Sequence, residues 1–226
     1  MRCTLASAAD AVYRSAMEEA DRLEAGPDVK QTESDPSPSE RPKSGRGSGW
    51  NVVVVAGDNR FDGACRLLAR FGSPKRTGFY NVLTLKVPDA RAFLDDFAQA
   101  AAASADLAQS VSRLVPAEHT FTFNSPEEFE AKAREIALTW VEQLAGKAFH
   151  VRLHRRGFKG RLRSPEEERF LDRVLLEALE VAGASGSITF EDPDAVIDVE
   201  TVGSRAGMSL WTRDDLRRYP FLRLTS

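Results

Sequence analysis

The sequence has few cysteines and no long apolar run. Its 226 residues include two cysteines, Cys3 and Cys65, which lie far apart and form no CxxC pair. This spacing argues against a disulfide framework and a cysteine zinc site, and it favours a reduced, cytoplasmic setting. No segment approaches the roughly 20 apolar residues of a membrane span, and residues 1–26 lack the apolar core of a secretory signal. We therefore expect no membrane partner.

Known catalytic motifs are also missing from the chain. There is no GxSxG elbow, HExxH pair, Walker lysine or strand-anchored GxGxxG, and no glycine motif of a methyltransferase, PP-loop or acetyl-CoA-binding RxxGxG/A. His150 and His154 have the spacing of a metal pair, but on a strand they lie roughly 13 Å apart. We therefore expect no catalytic residue, no metal and no other cofactor.

Composition divides the chain into four segments. Residues 1–26 carry apolar side chains at near-helical spacing, which predicts a short helix of unknown role. Residues 27–49 are rich in Pro, Ser and Gly with almost no large apolar side chain, so we expect a disordered tether. Strand and helix patterns alternate through residues 50–124 and again through 125–226, which predicts two α/β units.

Local signals place several elements within these units. In the first unit, NVVVVAG and FYNVLTLKV predict two strands, and a third extended stretch ends in HTFTF at residues 119–123. In the second unit, Ser125 and Ser164 each precede Pro-Glu-Glu, the pattern of a capped helix start. Thr212 is predicted to cap a short final helix with Asp215 at the third position.

The most informative feature is the placement of positive charge. The stretch HVRLHRRGFKGRLR, residues 150–163, has six Lys or Arg residues, two histidines and no acid. Arginine forks suit bidentate phosphate contacts, and Gly157 and Gly160 let a loop approach a partner's backbone. The pattern favours nucleic acid, with a solvated basic loop as the alternative. The candidate contacts are Arg152, His154, Arg155, Arg156, Lys159, Arg161 and Arg163.

A second basic group follows near the C-terminal end of the sequence. RAGMSLWTRDDLRRYPF contributes the candidate contacts Arg205, Arg213, Arg217 and Arg218. Trp211 either seals the edge of the core or stacks on an unpaired base. The acidic stretch FEDPDAVIDVE has no nucleophile or histidine tied to it by spacing, so a structural role is favoured for Asp192, Asp194, Asp198 and Glu200.

These motifs carry a family resemblance. FHVRLHRRGFKGRLRSPEEERFL, followed by ITFEDPDAVIDVETVGSRAGMSLWTRDDLRRYPFL, resembles the THUMP domain over roughly residues 125–224. Upstream, NVVVVAGDNRFDGACRLLARFG and RTGFYNVLTLKV are similar to the ferredoxin-like domain that precedes THUMP in such proteins. The resemblance implies a ferredoxin-like α/β sandwich followed by a THUMP α/β domain. The form it resembles most is that of the tRNA acetylation adaptor.

The resemblance also implies a function. THUMP domains with a ferredoxin-like neighbour recognise the acceptor stem and 3′ end of tRNA. We therefore expect a tRNA-binding adaptor that is not itself an enzyme and that presents tRNA to a separate acetyltransferase making 4-acetylcytidine. One alternative is a free-standing RNA-modifying enzyme that uses the carboxylates between Asp192 and Glu200. The other is a protein-interaction module without RNA.

Overall fold

A computed structural model describes residues 49–223 of the chain. The helix predicted within residues 1–26 and the tether predicted at 27–49 lie outside the described residues, apart from Gly49. The described range contains two β-sheets and seven α-helices, which confirms the predicted mixed α/β fold class. None of the helices in this range is long and apolar enough to cross a bilayer.

The first sheet has the topology of a ferredoxin-like sandwich. Its elements are β1 (Val52–Ala56), α1 (Phe61–Leu68), β2 (Lys75–Arg76), β3 (Val82–Leu85), α2 (Ala90–Ala103), α3 (Ala105–Ser110) and β4 (Val111–Pro116). The strands lie in the order β2-β3-β1-β4, and every neighbouring pair is antiparallel. This order is that of a βαββαβ unit. One face of the sheet, with Val54 and Leu83, packs against Phe93 and Phe97 of α2.

The second sheet has five strands. Its region contains β5 (His119–Thr122), α4 (Pro126–Leu138), α5 (Val141–Leu144), β6 (Ala148–His154), α6 (Ser164–Val181), β7 (Ser187–Ile188), β8 (Ala195–Val202), β9 (Arg205–Thr212), α7 (Arg213–Arg218) and a 3-10 turn (Pro220–Leu222). The strand order is β5-β9-β8-β6-β7. Strand β6 runs parallel to both β7 and β8, and the remaining pairs are antiparallel.

Strand β5 differs from its predicted place. The sequence suggested that residues 119–123 supply the third strand of the first unit, but β5 pairs with β9, with Phe121 opposite Ala206. The backbone N–H of Glu118 donates to the Met208 carbonyl at 3.1 Å, which joins the chain to β9 immediately before β5. The first sheet is completed instead by β2 and β4, neither of which is among the strands predicted above.

Two of the predicted helix caps are present. The Ser125 hydroxyl accepts a hydrogen bond from the Glu128 backbone N–H at 3.2 Å. Thr212 and Asp215 form a reciprocal capping box, in which each side chain accepts from the other residue's backbone N–H. Both caps satisfy N–H groups that have no partner within their helices.

The predicted cap at Ser164 is wrong. Arg163, with an extended backbone, occupies the capping position, and its side chain forms no capping hydrogen bond. Ser164 is the first residue of the helix rather than the residue before it. Its hydroxyl is therefore not placed to accept a hydrogen bond from the N–H groups of the first turn. Arg163 instead forms an ion pair with Glu166 at 2.9 Å in the first turn of α6.

Two carboxylates of α6 close the free edge of β6. Strand β7 pairs with only the first two residues of β6. Beyond them, the Val151 N–H donates to Asp172 Oδ1 at 3.0 Å and the Leu153 N–H donates to Glu168 Oε1 at 2.7 Å. These bonds satisfy backbone groups that would otherwise be unpaired at a sheet edge, and they fix α6 against the strand that leads into the basic stretch.

A third carboxylate of the same helix predicts a pH dependence of stability. Burial, followed by the charges of Glu130, Glu166 and Glu127, raises the pKa of Glu167 to about 7. A raised carboxyl pKa stabilises the fold at pH values below about 4.5, and this contribution is lost as the pH rises through 7. Between pH 5 and pH 8, we expect the free energy of unfolding of the wild type to fall by about 2 kcal/mol more than that of E167Q, because glutamine does not ionise. Urea denaturation at both pH values measures this; parallel pH curves for the two proteins would contradict it.

Candidate nucleic-acid interface

Strand β6 presents alternate side chains to opposite faces of the second sheet, as predicted. Phe149, Val151 and Leu153 belong to the core that α4 and α6 cover. His150 points the other way and is 3% exposed, with Nδ1 2.8 Å from the Thr189 carbonyl. Burial lowers the pKa of His150 to about 4, so the imidazole is neutral at pH 7 and contributes no charge to a phosphate site.

An arginine from the first sheet lies at the centre of a buried charge network. Arg113 Nη2, on β4, lies 3.1 Å from Asp198 Oδ1 and 2.5 Å from Glu200 Oε1 on β8. The same nitrogen lies 3.0 Å from His154 Nδ1. Arg156 forms a second ion pair with Glu200. The network therefore joins both sheets to the beginning of the basic stretch.

The network explains why its carboxylates are structural. Burial, followed by the Glu200 charge, raises the pKa of Asp198. Burial also acts to raise the pKa of Glu200, but Arg113 and then Arg156 outweigh it and lower that pKa. Neither side chain is more than 2% exposed, so neither reaches a substrate in solvent.

The same network bears on metal binding. Ligand atoms of His154, Asp198 and Glu200 lie within 4.8 Å of one another, a separation that suits a metal ion. The guanidinium of Arg113 approaches all three side chains within 3.1 Å, so the positive charge among them is already supplied by arginine. A metal would have to displace Arg113 against charge repulsion.

Several predicted contacts are paired with carboxylates. Arg213 lies 3.2 Å from an oxygen of each of Asp192 and Asp194, and further pairs are Arg156–Glu200, Arg163–Glu166 and Arg218–Asp95. His154 is held in the Arg113 network. These pairs count against the predicted phosphate contacts at these positions, because an acid beside each cation offsets its charge.

Trp211 is buried, which agrees with the predicted role of sealing the core edge and excludes the other predicted role, that of an RNA contact that stacks on a base. Its side chain is 0% exposed and packs in the core of the first sheet. The Arg91 guanidinium lies 4.4 Å from the ring centroid and is held there by an ion pair with Asp215 at 3.0 Å. The indole therefore seals the junction between α2 and β9, and no base can reach it.

The loop of residues 155–163, called the basic loop below, is fixed by an aromatic anchor. The Phe158 ring lies 4.7 Å from that of Phe123, which is fully buried. Gly157 has a φ of +105°, and a Cβ there would lie 3.1 Å from the Gly203 Cα, so only glycine suits this position. The loop is thus seated on the turn between β8 and β9.

Two arginines of the basic loop donate hydrogen bonds to the backbone rather than to an acid. Arg155 donates to the Gly157 carbonyl, and Arg161 donates to the Asn124 carbonyl at 3.3 Å. Arg161 also covers the Phe158 ring, at 5.0 Å from its centroid. Lys159 is exposed at the tip of the loop. A carbonyl group carries no net charge, so these hydrogen bonds leave both guanidiniums suited to a phosphate. The exposed carboxylate of Glu127 lies within electrostatic reach of Arg161.

The other three predicted contacts lie in different surroundings. Arg152 is half-buried on β6, and Arg217 is exposed on α7. Arg205 is half-buried, with Nε donating to the Trp50 carbonyl at 3.1 Å and Nη2 donating to the Thr120 hydroxyl. Burial lowers the pKa of Arg205. Of these three, Arg205 belongs to the junction of the two sheets rather than to the basic loop.

Comparisons with known proteins give structural matches only. No protein-family model matches the sequence, and no curated protein matches it. PH1313 from Pyrococcus horikoshii is 12% identical with a TM-score of 0.50, over 72% of this chain and 54% of that one. TrmN from Thermus thermophilus is 16% identical with a TM-score of 0.46, over 71% and 44%. A 4-thiouridine synthetase bound to RNA and ATP is 16% identical with a TM-score of 0.46, over 73% and 42%.

The likeness to PH1313 shows that the described residues have a THUMP-like fold. The chain spans about half the length of these matches or less. The comparisons also correct the expectation that the protein is not an enzyme. The matching structures whose names state an activity are a synthetase, methylases and a methyltransferase.

Proposed function

We propose that this chain binds structured RNA through the basic loop and acts in RNA modification, with tRNA as the substrate class. The THUMP-like fold supports a part in RNA recognition, and one of the matching enzymes was captured with RNA. The overall charge of −3 does not oppose this proposal, because RNA binding depends on local clusters of cations rather than on net charge.

The observation that carries the proposal is the state of the cations in the basic loop. Arg155 and Arg161 donate to backbone carbonyls, whereas Arg156 and Arg163 of the same loop are paired with acids, as are the predicted cations at positions 213 and 218. The loop is also held in place by Phe158, so its cations are presented without a large ordering cost. Two fixed guanidiniums with uncharged hydrogen-bond partners match the phosphates of an RNA backbone.

The modification chemistry is not assigned to the carboxylates between residues 192 and 200. Asp198 and Glu200 are buried against Arg113, and Asp192 and Asp194 hold Arg213. A general base must reach the proton that it removes, and the two buried carboxylates cannot. RNA modification therefore remains the proposed activity, but these four carboxylates are not proposed as its catalytic groups.

Ultraviolet cross-linking of the protein to tRNA tests where RNA binds. Peptide mass spectrometry of the cross-linked protein is expected to recover nucleotide adducts on the peptides that contain Phe158 and its neighbours in the basic loop. Adducts confined to α1 would contradict the proposed site. A protein that forms no adduct with tRNA would contradict RNA binding itself.

The finer proposal concerns the modification. The sequence resemblance supports 4-acetylcytidine in tRNA, made together with an acetyltransferase. Mass spectrometry of tRNA nucleosides from cells with and without the gene is expected to show the loss of this one nucleoside. Loss of a methylated or thiolated nucleoside instead would keep RNA modification and overturn acetylation. An unchanged nucleoside profile would overturn both.

A further inference from the structure

One serine of the chain has the sequence context of a phosphorylation site. Four serines are followed directly by proline, namely Ser37, Ser73, Ser125 and Ser164. After Ser73-Pro the next two residues are the basic Lys75 and Arg76, whereas at least one glutamate and no basic residue occupies these positions after each of the other three. Protein kinases select substrates partly by the charges beside the acceptor serine. The stretch SPKR is therefore typical of a substrate of a proline-directed kinase.

Ser73 lies where a kinase can reach it. The residue is exposed and belongs to the irregular segment between the end of α1 and strand β2. The proline that follows it favours extended backbone at Ser73, which is the shape of a peptide in a kinase cleft. Strand β2 is an edge strand of two exposed residues that pair only with β3. The segment can therefore enter a catalytic cleft without disturbing the core.

The other two Ser-Pro pairs within residues 49–223 begin helices. Ser125 caps α4, and its hydroxyl accepts a hydrogen bond from the Glu128 backbone N–H at 3.2 Å. Ser164 is the first residue of α6. Both serines are half-buried, so neither is presented as an extended exposed segment. The fold therefore agrees with the sequence in favouring Ser73 as the acceptor.

The fold also places two lysines around Ser73. A cavity of about 330 Å³ has Ser73, Lys75, Thr84 and Lys86 in its lining. Lys75 lies directly opposite Thr84 in the β2–β3 ladder, so these two side chains share one face of the sheet. Gly72, the neighbour of Ser73, lies so close to β3 that a Cβ on it would be 3.2 Å from the Lys86 carbonyl oxygen. A phosphoryl group on Ser73 therefore has room between the serine and both lysines.

We propose that Ser73 is a phosphorylation site and that Lys75 and Lys86 hold the phosphate that it receives. The Ser73 hydroxyl oxygen attacks the γ-phosphorus of ATP in the active site of a proline-directed protein kinase. The new bond joins that oxygen to phosphorus, the bond from phosphorus to the departing ADP breaks, and the hydroxyl proton passes to the catalytic base of the kinase. The phosphate carries about two negative charges at pH 7, which the two ammonium groups match.

The modification joins the segment after α1 to strand β3. Ser73 and Lys86 are distant in sequence, so a phosphate held by Lys86 adds a tertiary contact that the unmodified protein lacks. Such a contact stabilises the folded chain, because it is lost on unfolding. No residue of this site belongs to the basic loop, and the proposal does not depend on the proposed RNA function.

Phosphorylation of the full chain in vitro tests the acceptor. The protein is incubated with ATP and a purified proline-directed kinase that prefers basic residues after the proline, and peptide mass spectrometry locates the phosphate. We expect the phosphate on Ser73, its loss in S73A, and an unchanged yield in the control S164A. Phosphate on Ser37, Ser125 or Ser164 in place of Ser73, or no phosphate at all, overturns the proposal.

Thermal unfolding of the modified protein tests the role of the lysines. Phosphorylation is expected to raise the Tm of wild type by about 2–4 °C. Lys86 lies outside the stretch that the kinase reads, so K86Q is expected to be modified like wild type and to lose most of this rise. R66Q removes the same charge from an exposed position on α1 and is expected to keep the rise. An equal rise in K86Q and wild type, or no rise in wild type, overturns the lysine site.

Discussion

Replacing Arg113 by methionine lowers the free energy of unfolding by about 3–5 kcal/mol. The guanidinium is 91% buried between two carboxylates that are 98% and 99% buried, so its removal leaves Asp198 and Glu200 with one cation instead of two. Arg113 Nε also donates to the Leu222 carbonyl at 3.1 Å, and this contact to the C-terminal 3-10 turn is lost as well. Methionine keeps most of the volume, so the loss reports charge rather than a cavity. Urea denaturation measures it.

Two further variants make this prediction specific. The double variant R113M/D198N is expected to recover much of the loss, because Glu200 then keeps its own partner, Arg156. R163M breaks an ion pair whose partners are 69% and 58% exposed and is expected to cost less than about 0.5 kcal/mol. A loss below about 1 kcal/mol for R113M would show that the buried network does not hold the two sheets together.

Changing Arg155, Lys159 and Arg161 together to glutamine weakens tRNA binding on the order of 100-fold at fixed salt. Each side chain is expected to lose a charge-assisted hydrogen bond to a phosphate, and glutamine keeps much of the length without the charge. The hydrogen bonds of Arg155 and Arg161 go to backbone carbonyls, so the loss of these two side chains leaves no buried acid without its partner. The fold should therefore survive, and anisotropy with labelled tRNA measures the loss.

The matched control is R66Q/R70Q/R134Q, which removes three positive charges from exposed positions outside the basic loop. Both triple variants change the net charge equally, so long-range repulsion of RNA rises by a similar amount in each. We expect the control to weaken binding less than about 3-fold, since side chains outside the basic loop would lose no phosphate contact and their longer-range effects are screened by salt. Equal losses in the two variants would show that net charge, rather than the basic loop, determines the affinity.

Local features of the fold were predictable from the sequence. Ser125 and Thr212 cap helices because their hydroxyls satisfy N–H groups close in sequence, and the Asp215 partner is also local. The ferredoxin-like and THUMP-like arrangement followed from resemblance and from the alternation of strand and helix patterns. The prediction places strand β5 in the wrong sheet, because the pattern of a strand does not reveal its partner. That partner, β9, follows β5 by about 85 residues in the sequence.

The charge pairing was not predictable in the same way. Arg113 lies in one largely apolar strand, and the two acids of β8 lie in another. Each strand pattern shows that a buried charge needs a partner, but it does not show which residue is that partner. The basic residues are close together in the sequence, but their acidic partners are not. Asp95 pairs with Arg218, and the acids of the 192–194 turn pair with Arg213. Trp211 was ambiguous because its exposure depends on how α2 packs against β9.

The salt dependence of tRNA binding tests the central claim most directly. For wild type, a plot of the logarithm of the association constant against the logarithm of the salt concentration is expected to have a steep negative slope. For the variant with Arg155, Lys159 and Arg161 changed to glutamine, the slope is expected to be shallower by about 2 to 3, because each lost phosphate contact reduces its steepness by roughly 0.7 to 0.9. A flat wild-type plot, or identical slopes for the two proteins, would contradict phosphate binding by the basic loop.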